Sequence, residues 1–466
     1  MRILEILFIA LLSIQLLVLM TGVLKETLIR KWFWIIPLIV LILHLFIEGY
    51  RWQMFPGYFL SLLLLLSLFS KKEPGKLVRT LRNTCLILLL ILTVALPAVL
   101  PVLSFSNDSD AYGVGVNEMQ VFDKSREEIL TKNPDDFREV SVRLFYPSTE
   151  KNTGYTNYTP NFEKVKKAYE KKLGWPPFLL EYLKYFKIEA GENAELVTSE
   201  KFPLVIYSHG LTNNYTEATG RMAKLAGRGY VVVAINHTYS SDYAILSNGE
   251  MVGYKALSQL GDPVEKIDSV KTILADQWVD DAKSVIKKLR QSKYSESIDF
   301  NSIGLVGFSA GGTMATLGSH TMDNVKAAIN LDGTPRGLNS DMKPLSSQLF
   351  MFSEPVYYSD AQINAWGITR EMIDAPLRLI DNRSKEILSE APEKSYIVRI
   401  PGTLHSNFIE YPLISPLSSI LEIGGSIDSW KCYRMINEMI YAFLDENLKN
   451  KPTEFPKFHD VSITEN

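Results

Sequence analysis

Four stretches within the first 107 residues contain no Asp, Glu, Lys or Arg, and this feature constrains the fold most. They cover residues 6–24, 32–47, 52–70 and 83–107. A bilayer core of about 30 Å needs roughly 20 apolar residues in a helix, with about 17 to 25 the usual range. The first, third and fourth stretches meet that length, and the second needs its flanking residues. We therefore predict an N-terminal bundle of about four transmembrane helices that embeds the chain in a membrane.

The Lys and Arg content of the short connections predicts their side of the membrane. Eight basic residues fall in the first and third connections, namely Lys25, Arg30, Lys31, Lys71, Lys72, Lys76, Arg79 and Arg82. Only Arg2 and Arg51 fall on the other side. Connections rich in Lys and Arg stay in the cytoplasm. We therefore expect a multi-pass cell-membrane protein whose residues after 105 are non-cytoplasmic. A cleaved signal peptide is the alternative for the first stretch and leaves that side unchanged.

Charge divides the chain near residue 105. Residues 1–104 carry ten Lys and Arg against four Asp and Glu, a net of +6, so the chain's total of −3 leaves −9 for residues 105–466. We predict a membrane region over residues 1–104 and a second domain over residues 105–466. The acidic balance argues against a nucleic-acid partner. Only Cys85 and Cys432 occur, which excludes a disulfide framework and a Cys-rich zinc site. We expect no metal and no cofactor.

Residues 105–466 alternate between short apolar runs and amphipathic stretches. Predicted strands cover residues 140–146, 204–207, 231–235, 303–306, 327–331, 348–352 and 395–400, and predicted helices cover residues 216–228, 273–289, 310–320 and 427–448. Pro147 is expected to end the first strand. Alternating strands and helices predict a mostly parallel sheet with helices on both faces. Ligands bind such sheets at the carboxyl ends of the strands, so the chemistry is expected there.

A candidate nucleophile, Ser309, lies in a G-x-S-x-G motif between a predicted strand and a predicted helix. Gly307 and Gly311 flank it two residues away on each side. A serine on a sharp strand-to-helix turn leaves no room for side chains at those two positions, and the helix N-terminus favours an anionic intermediate. The bare pattern is weak evidence for a nucleophile, but its position between a predicted strand and a predicted helix makes this evidence stronger. The alternative is a glycine-rich turn with an incidental serine.

A serine nucleophile needs a general base, and in this fold class the base lies downstream of the serine and the acid. Only His320, His405 and His459 follow Ser309. His320 lies within the same predicted helix, and His459 lies in a polar tail. His405 follows the strand at residues 395–400 through a turn, which places it on a loop at a carboxyl end. We therefore predict His405 as the base.

Three carboxylates remain open as the acid that orients the base. Asp332 follows the strand at residues 327–331, and Glu354 follows the next strand in the same manner. Asp381 is a weaker third candidate. A carboxylate on a loop after a strand is often only a turn residue, so the pattern alone does not decide between them.

The oxyanion hole requires two backbone N–H groups. One belongs to the residue after the nucleophile, Ala310, and the other to a loop after an earlier strand, where Leu211 is the natural donor. His209 is interpreted as a loop-orienting residue because it precedes the serine. His237 follows the strand at residues 231–235 and is expected either to line the pocket or to begin a helix in a polar turn.

The sequence resembles the platelet-activating factor acetylhydrolase family, in its lipoprotein-associated and intracellular type II branch of the α/β-hydrolases. The matching pieces, in the family's order, are Tyr112 to Gly115, Leu144 to Ser148, Phe202 to Leu211, Gly307 to Gly312, Asn330 to Gly333 and Gly402 to Phe408. The resemblance implies an α/β-hydrolase fold, with Ser309 as nucleophile, Asp332 as acid, His405 as base, and Leu211 and Ala310 as oxyanion donors. It thereby favours Asp332 over Glu354.

The resemblance further implies metal-independent hydrolysis of short or oxidised acyl esters of phospholipids. This chain departs from the secreted members in its membrane bundle. A lid or insertion is expected at about residues 150–195, where an aromatic segment from Trp175 to Phe186 interrupts the core strands. Its alternatives are a face that dips into the bilayer and a helix pair packed on the sheet. Rival functions are a broad carboxylesterase, a cell-envelope acyltransferase and a non-enzymatic, membrane-anchored binding domain.

Overall fold

The computed structural model describes most of the 466-residue chain. The described residues are 1–21, 28–67, 75–106, 111–151, 153–174, 176–257, 264–339, 341–355, 359–360, 363 and 369–466. Lys25, Lys71, Lys72 and Trp175, which entered the expectations above, lie outside them. The chain forms two compact units. The helical unit comprises Met1–Leu103, Leu173–Phe186 and Ile414–Leu417, and the sheet unit comprises Ser104–Lys172, Lys187–Leu413 and Ser418–Asn466.

Apolar helices build the helical unit. They are α1 (Ile3–Thr21), α2 (Leu28–Leu43), α3 (Phe55–Ser67) and α4 (Lys76–Val99), with a π-helical turn at His44–Glu48 and a 3₁₀ turn at Trp52–Met54. Phe8, Leu12, Leu60 and Leu64 are fully buried where α1 and α3 meet. Two of the four, α1 and α4, are long and apolar enough to cross a membrane, and the apolar helices over Phe33–Glu48 and Trp52–Ser67 are shorter.

The other α-helices and strands belong to the rest of the described residues. The helices are α5 (Phe162–Leu173), α6 (Pro177–Leu180), α7 (Thr219–Gly227), α8 (Val264–Arg290), α9 (Ala310–Thr321), α10 (Arg370–Glu390) and α11 (Ser429–Lys449). The strands are β1 (Ser104–Phe105), β2 (Gly113–Glu127), β3 (Phe137–Ser148), β4 (Tyr155–Asn157), β5 (Lys187–Glu189), β6 (Gly191–Glu192), β7 (Phe202–Ser208), β8 (Val231–Asn236), β9 (Ala244–Ile245), β10 (Met251–Val252), β11 (Ile298–Phe308), β12 (Val325–Leu331), β13 (Ser347–Ser353), β14 (Tyr396–Ile400) and β15 (Ser462–Glu465).

A ten-stranded sheet forms the centre of the sheet unit, in the order β15-β14-β13-β12-β11-β7-β8-β3-β2-β6. The six strands from β14 to β8 pair in parallel, as predicted. The long hairpin of β2 and β3 adds antiparallel to β8, and β15 adds antiparallel to β14. Every residue of β7 and β8 is buried, which agrees with their continuous apolar runs.

Helices cover both faces of this sheet, as two neighbouring residues of β11 make clear. The Cα of Gly304 faces Leu444 and Leu448 of α11, whereas the side chain of Leu305 lies against Gly318 of α9. Successive residues of a strand point to opposite faces. Helices α9 and α11 therefore pack on opposite sides, and the carboxyl ends of the parallel strands remain open at one edge.

Pro147 does not end its strand, contrary to the expectation from sequence. Strand β3 continues through Pro147 to Ser148. Its pairing with β8 stops at Phe145, and on the other side Pro147 stands opposite Val114 of β2. Proline is tolerated where the strand has left one neighbour, because the missing N–H interrupts no ladder there.

Candidate active site

Ser309 lies on a strained turn between β11 and α9. Its backbone has φ 54° and ψ −115°, which a serine rarely adopts. The flanking glycines make this turn possible. A Cβ at Gly307 would lie 1.9 Å from the carbonyl oxygen of Gly311, and a Cβ at Gly311 would lie 2.0 Å from the carbonyl oxygen of Ser208. The Ser309 N–H donates to the carbonyl of Leu331 at the end of β12, at 2.8 Å, so the turn is anchored to the neighbouring strand.

His405 and Asp332 meet at the same edge of the sheet. The Nδ1 atom of His405 lies 2.6 Å from Oδ2 of Asp332. Asp332 directly follows β12, with φ 57°, and its Oδ1 accepts the backbone N–H of Ser353 at 2.8 Å. The imidazole packs on Phe308, with 4.6 Å between ring centroids. Because the carboxylate accepts a hydrogen bond from the Nδ1–H group, Nε2 of the neutral His405 ring is left as the proton acceptor.

The two competing carboxylates have other partners. Oε2 of Glu354 accepts the N–H of Gly402 at 2.7 Å, in the turn that leads to His405. Asp381 pairs with the guanidinium of Arg399. Glu354 therefore holds the loop that carries the histidine, whereas Asp332 holds the histidine ring itself.

One cavity of about 680 Å³ gathers every predicted site residue except the elbow glycines. Ser309, Ala310, Asp332, His405 and Leu211 all line it. Its walls are largely apolar, with contributions from Leu274, Trp278, Phe352, Leu377 and Ile380. Charged side chains lie at the same cavity, namely Lys271, Arg336, Glu354, Asp381 and Arg399. The cavity combines an acyl-sized apolar volume with charged groups.

The other histidines lie away from this cavity. His320 is buried in α9, where its Nδ1 lies 2.8 Å from the carbonyl of Thr316, and His459 is 93% exposed in the tail. His209 and His237 are completely buried. The ring of His237 stacks on Trp278, which itself lines the cavity, at 4.0 Å and 3° between the planes. His237 therefore lies behind the cavity wall and does not form it, because Trp278 covers it.

Sequence reasoning missed two buried acids behind the loop that carries Leu211. Oε1 of Glu217 accepts the N–H of Gly210 at 3.0 Å, and Asp281 of α8 bonds His237 at 2.8 Å. Burial raises the pKa of the Glu217 carboxyl to about 7. Neither residue belongs to a recognisable motif, since each lies in a helical stretch where acidic residues are ordinarily solvated.

In the helical unit, Glu5, His44 and Glu48 place one ligand atom each within 4.8 Å of one another. The carboxylates already have cationic partners. Arg51 lies 3.3 Å from Oε1 of Glu5, and Arg2 pairs with both Glu5 and Glu48. The arrangement is that of a buried ion-pair network, in which the positive charge that a metal would bring is supplied by two arginines.

A parallel sheet that presents a serine on a strained strand-to-helix turn, with a carboxylate and a histidine on later loops, defines the α/β-hydrolase class. A family model described as platelet-activating factor acetylhydrolase, isoform II, matches residues 112–251 and 257–461. The chain belongs to this family, as the sequence motifs predicted, and is accordingly a carboxylic ester hydrolase.

Curated relatives agree with the family assignment, and a solved structure agrees with the fold. Platelet-activating factor acetylhydrolase from Cavia porcellus is 23% identical over 337 residues, which cover 66% of this chain and 72% of the relative. The enzyme of the same name from Canis lupus familiaris is 25% identical over 337 residues, covering 66% and 71%. The structure of a ferulic acid esterase from Streptomyces cinnamoneus is similar in fold, with a TM-score of 0.60, 19% identity, and coverage of 77% of this chain and 99% of the esterase.

Proposed function

We propose that this protein is a membrane-anchored serine esterase that removes short or oxidised acyl chains from phospholipids through an acyl-enzyme. The observation that carries the proposal is the 2.6 Å bond between His405 and Asp332 in a cavity that also holds Ser309 on its strained turn. The names of the similar mammalian enzymes support the acetyl-ester substrate class. The apolar walls of the cavity suit an acyl chain.

The chemistry follows from the roles of the side chains. Oγ of Ser309 attacks the ester carbonyl while its proton passes to Nε2 of His405. The carbonyl oxygen becomes an oxyanion, which the N–H groups of Leu211 and Ala310 stabilise. The tetrahedral intermediate collapses, the C–O bond to the alcohol breaks, and His405 returns the proton to the departing lysolipid. Water then attacks the acyl-serine while His405 takes its proton. The C–O bond to Ser309 breaks, His405 returns the proton to Oγ, and the carboxylic acid leaves.

Asp332 acts on the base and not on the substrate. Its carboxylate holds the Nδ1 proton of His405 and stabilises the imidazolium that forms when Ser309 gives up its proton. Backbone and side-chain donors of Ser353 fix this carboxylate in turn, at 2.8 Å and 2.9 Å. The ring is thereby held in one tautomer and one orientation, which the proton transfer requires.

The membrane anchor is part of the proposal. Helices α1 and α4 have the length and hydropathy of membrane spans, and large apolar side chains point outward from the unit, among them Ile3, Leu17 and Leu88. Contiguous exposed apolar surface of this kind suits lipid and not water. With α2 and α3 as shorter companions, the helical unit is proposed to hold the hydrolase on the non-cytoplasmic face, and the distribution of Lys and Arg supports this orientation.

The aromatic segment expected as a lid belongs to the helical unit. Within that unit, Nε1 of Trp52 donates to the carbonyl of Leu179 at 3.3 Å, and the rings of Trp52 and Phe178 meet edge to face at 5.9 Å. Tyr185 donates to the carbonyl of Tyr50 at 2.7 Å. Aromatic rings with polar handles favour the membrane–water interface. We infer that residues 176–186 form an interfacial anchor, which is the bilayer-contacting alternative to the lid.

An acyl-chain series tests the substrate proposal. Full-length protein in detergent should hydrolyse sn-2 acetyl and sn-2 glutaroyl phosphatidylcholine at least tenfold faster than sn-2 palmitoyl phosphatidylcholine, measured as lysolipid release by mass spectrometry. Ser309→Ala should abolish all release, whereas Ser319→Ala, a buried serine on the same helix, should not. Equal rates along the series would favour a broad carboxylesterase. Acyl transfer to an added alcohol at the expense of hydrolysis would favour the acyltransferase.

A further inference from the structure

A second chain of hydrogen bonds from serine to histidine to aspartate lies in the sheet unit, behind the cavity. Nδ1 of His237 is 2.8 Å from Oδ2 of Asp281, and Nε2 of His237 is 3.1 Å from Oγ of Ser208. The three side chains are completely buried, and the Ser208 hydroxyl also packs against the sulfur of Met314. No substrate reaches a serine in this position, so the array requires a role other than nucleophilic catalysis.

The protonation of this array follows from its charges. Arg138 and Arg126 bond the two oxygens of Asp281 at 2.6 Å and 2.7 Å. Although burial opposes ionisation, the Arg138 guanidinium and the hydrogen bond from His237 hold the pKa of Asp281 well below its usual range. Burial lowers the pKa of His237 to about 4. Near neutral pH, His237 is therefore uncharged. Its Nδ1–H group donates a hydrogen bond to Asp281, and its Nε2 accepts one from the Ser208 hydroxyl.

The backbone N–H of His237 connects this array to His209. The N–H of His237 donates to Nε2 of His209 at 3.1 Å. Because that nitrogen accepts, the proton of the neutral ring must sit on Nδ1, which lies 2.7 Å from the carbonyl oxygen of Gly210. Burial also lowers the pKa of His209 well below its usual value. His209 is thus fixed as a donor to Gly210.

The bond to Gly210 sets the direction of the predicted oxyanion donor. The carbonyl of Gly210 and the N–H of Leu211 belong to one planar trans peptide, in which they point in opposite directions. The Gly210 carbonyl is held from behind by His209 and by the N–H of Asn213, at 3.0 Å. The Leu211 N–H therefore points away from this network, and Leu211 lines the cavity.

We propose that His209 is a positioning residue for the oxyanion hole, held in its donor tautomer by the backbone N–H of His237, whose ring is in turn fixed by Ser208 and Asp281. The catalytic consequence rests on the proposed function, whereas the tautomer does not. Without the Nδ1 donor, the Gly210 carbonyl retains only the hydrogen bond from the N–H of Asn213, so the Leu211 N–H is held less firmly toward the developing charge. The array thus has the same order of hydrogen-bonded residue types as the proposed catalytic triad, but its role is structural.

The tautomer is tested on the full chain in detergent micelles, labelled with ¹⁵N in histidine. Both His209 and His237 should be neutral Nδ1–H tautomers from about pH 6 to pH 8, the range in which a free imidazole titrates. Resonances are assigned by their loss in His209→Asn and His237→Asn. An Nε2–H tautomer at His209, or titration of either ring in that range, would overturn the proposal whether or not the protein hydrolyses any ester.

Kinetics test the positioning role. His209→Phe removes the donor and should lower kcat by about 10²- to 10³-fold, the usual cost of losing an oxyanion donor, with KM within about threefold of wild type. His209→Asn retains an N–H near the position of Nδ1 and should recover most of this loss. Affinity for a trifluoromethyl ketone, whose adduct is tetrahedral, should fall with kcat. His320→Phe, a buried histidine outside the array, is the control.

Two outcomes contradict the positioning role. Wild-type kcat in His209→Phe would do so, as would equal losses in His209→Phe and His209→Asn accompanied by a raised KM. If His209→Phe does not fold, as judged by its thermal melt, the comparison of His209→Asn with wild type and the ¹⁵N spectra decide. Failure of the wild-type protein to turn over any ester would count against the proposed function alone.

Discussion

Asp332 and Glu354 follow neighbouring parallel strands, yet their carboxylates hold different parts of one loop. Asp332 contacts the ring of His405, and Glu354 contacts the backbone of Gly402 three residues earlier. The pattern of a strand followed by an acid is the same for both residues. What separates them is the lateral order of β12 and β13 in the sheet and the path of the chain after β14. Chemically equal candidates thereby acquire unequal roles.

Substitution at these two acids should separate their roles. Asp332→Asn leaves a side chain of the same size but removes the negative charge beside His405. If its amide oxygen accepts from the N–H of Ser353, its NH₂ group faces Nδ1 and opposes the required His405 tautomer, so kcat should fall about 10³- to 10⁴-fold. Glu354→Gln should lower kcat less than about tenfold, because its amide oxygen still accepts from Gly402. Hydrolysis of p-nitrophenyl acetate measures both. Equal losses of kcat in the two variants would contradict the assignment of Asp332 as the orienting acid and of Glu354 as a residue that only holds the loop.

At the scale of elements, the loop after β7 is held by a buried acid, Glu217, that belongs to no recognisable sequence motif. Tyr207, Gly210 and Asn213 all donate to the carboxylate of Glu217, at 2.6 to 3.0 Å. This side chain is completely buried. Burial raises its pKa to about 7, while the nearby donors oppose the shift. The loop that presents Leu211 is therefore tied to a group that titrates near neutral pH.

Stability should record this titration. Since the folded pKa of Glu217 exceeds its ordinary value of 4.5, the contribution of Glu217 to stability is present below about pH 4.5 and is lost as pH rises through about 7. The melting temperature of Glu217→Gln relative to wild type should therefore rise between about pH 5 and pH 8. Glu393→Gln, an exposed acid, should give a constant difference. A constant difference in Glu217→Gln as well would contradict the assignment.

Elements with strong local signals were predictable and those made by long-range pairing were not. Strands β7 and β8 are buried throughout, and their β-branched runs already indicated central strands. Ser309 was recognisable because a strained turn demands glycine at Gly307 and Gly311. The extension of β3 through Pro147 depends on which neighbour ends first. Strand β15 exists only because the C-terminal tail returns to β14. Neither condition is written in the local sequence.

The same limit applies within the site. Sequence order selected His405 as the candidate base, and the family resemblance was needed to favour Asp332 as the candidate acid. The partnership of His237 with Asp281 joins residues 44 apart in the chain, and an acid on an amphipathic helix gives no sign that it is buried. Burial of Asp281 is possible because two arginines from the β2–β3 hairpin region neutralise it. Long-range charge pairing therefore accounts for what the motifs left out.

For the whole molecule, the uneven charge distribution predicts an orientation that can be measured. Glu454 of the sheet unit and Lys76 at the start of α4 are both exposed. In a background without Cys85 and Cys432, a membrane-impermeant maleimide should label Glu454→Cys on intact cells. It should label Lys76→Cys only after the membrane is permeabilised. Labelling of Lys76→Cys on intact cells, with Glu454→Cys protected, would indicate the opposite orientation. Equal labelling of both would contradict the proposed membrane anchor.

The central claim is that Ser309, activated by His405 and Asp332, forms a covalent acyl-enzyme. Reaction of the full-length protein with an alkyl fluorophosphonate, followed by peptide mass spectrometry, tests it most directly. A single adduct is expected on the peptide that contains Ser309, absent from Ser309→Ala, strongly slowed in His405→Ala and undiminished in Ser319→Ala. An adduct that persists in Ser309→Ala, or a wild-type protein that takes up no probe, would contradict the claim.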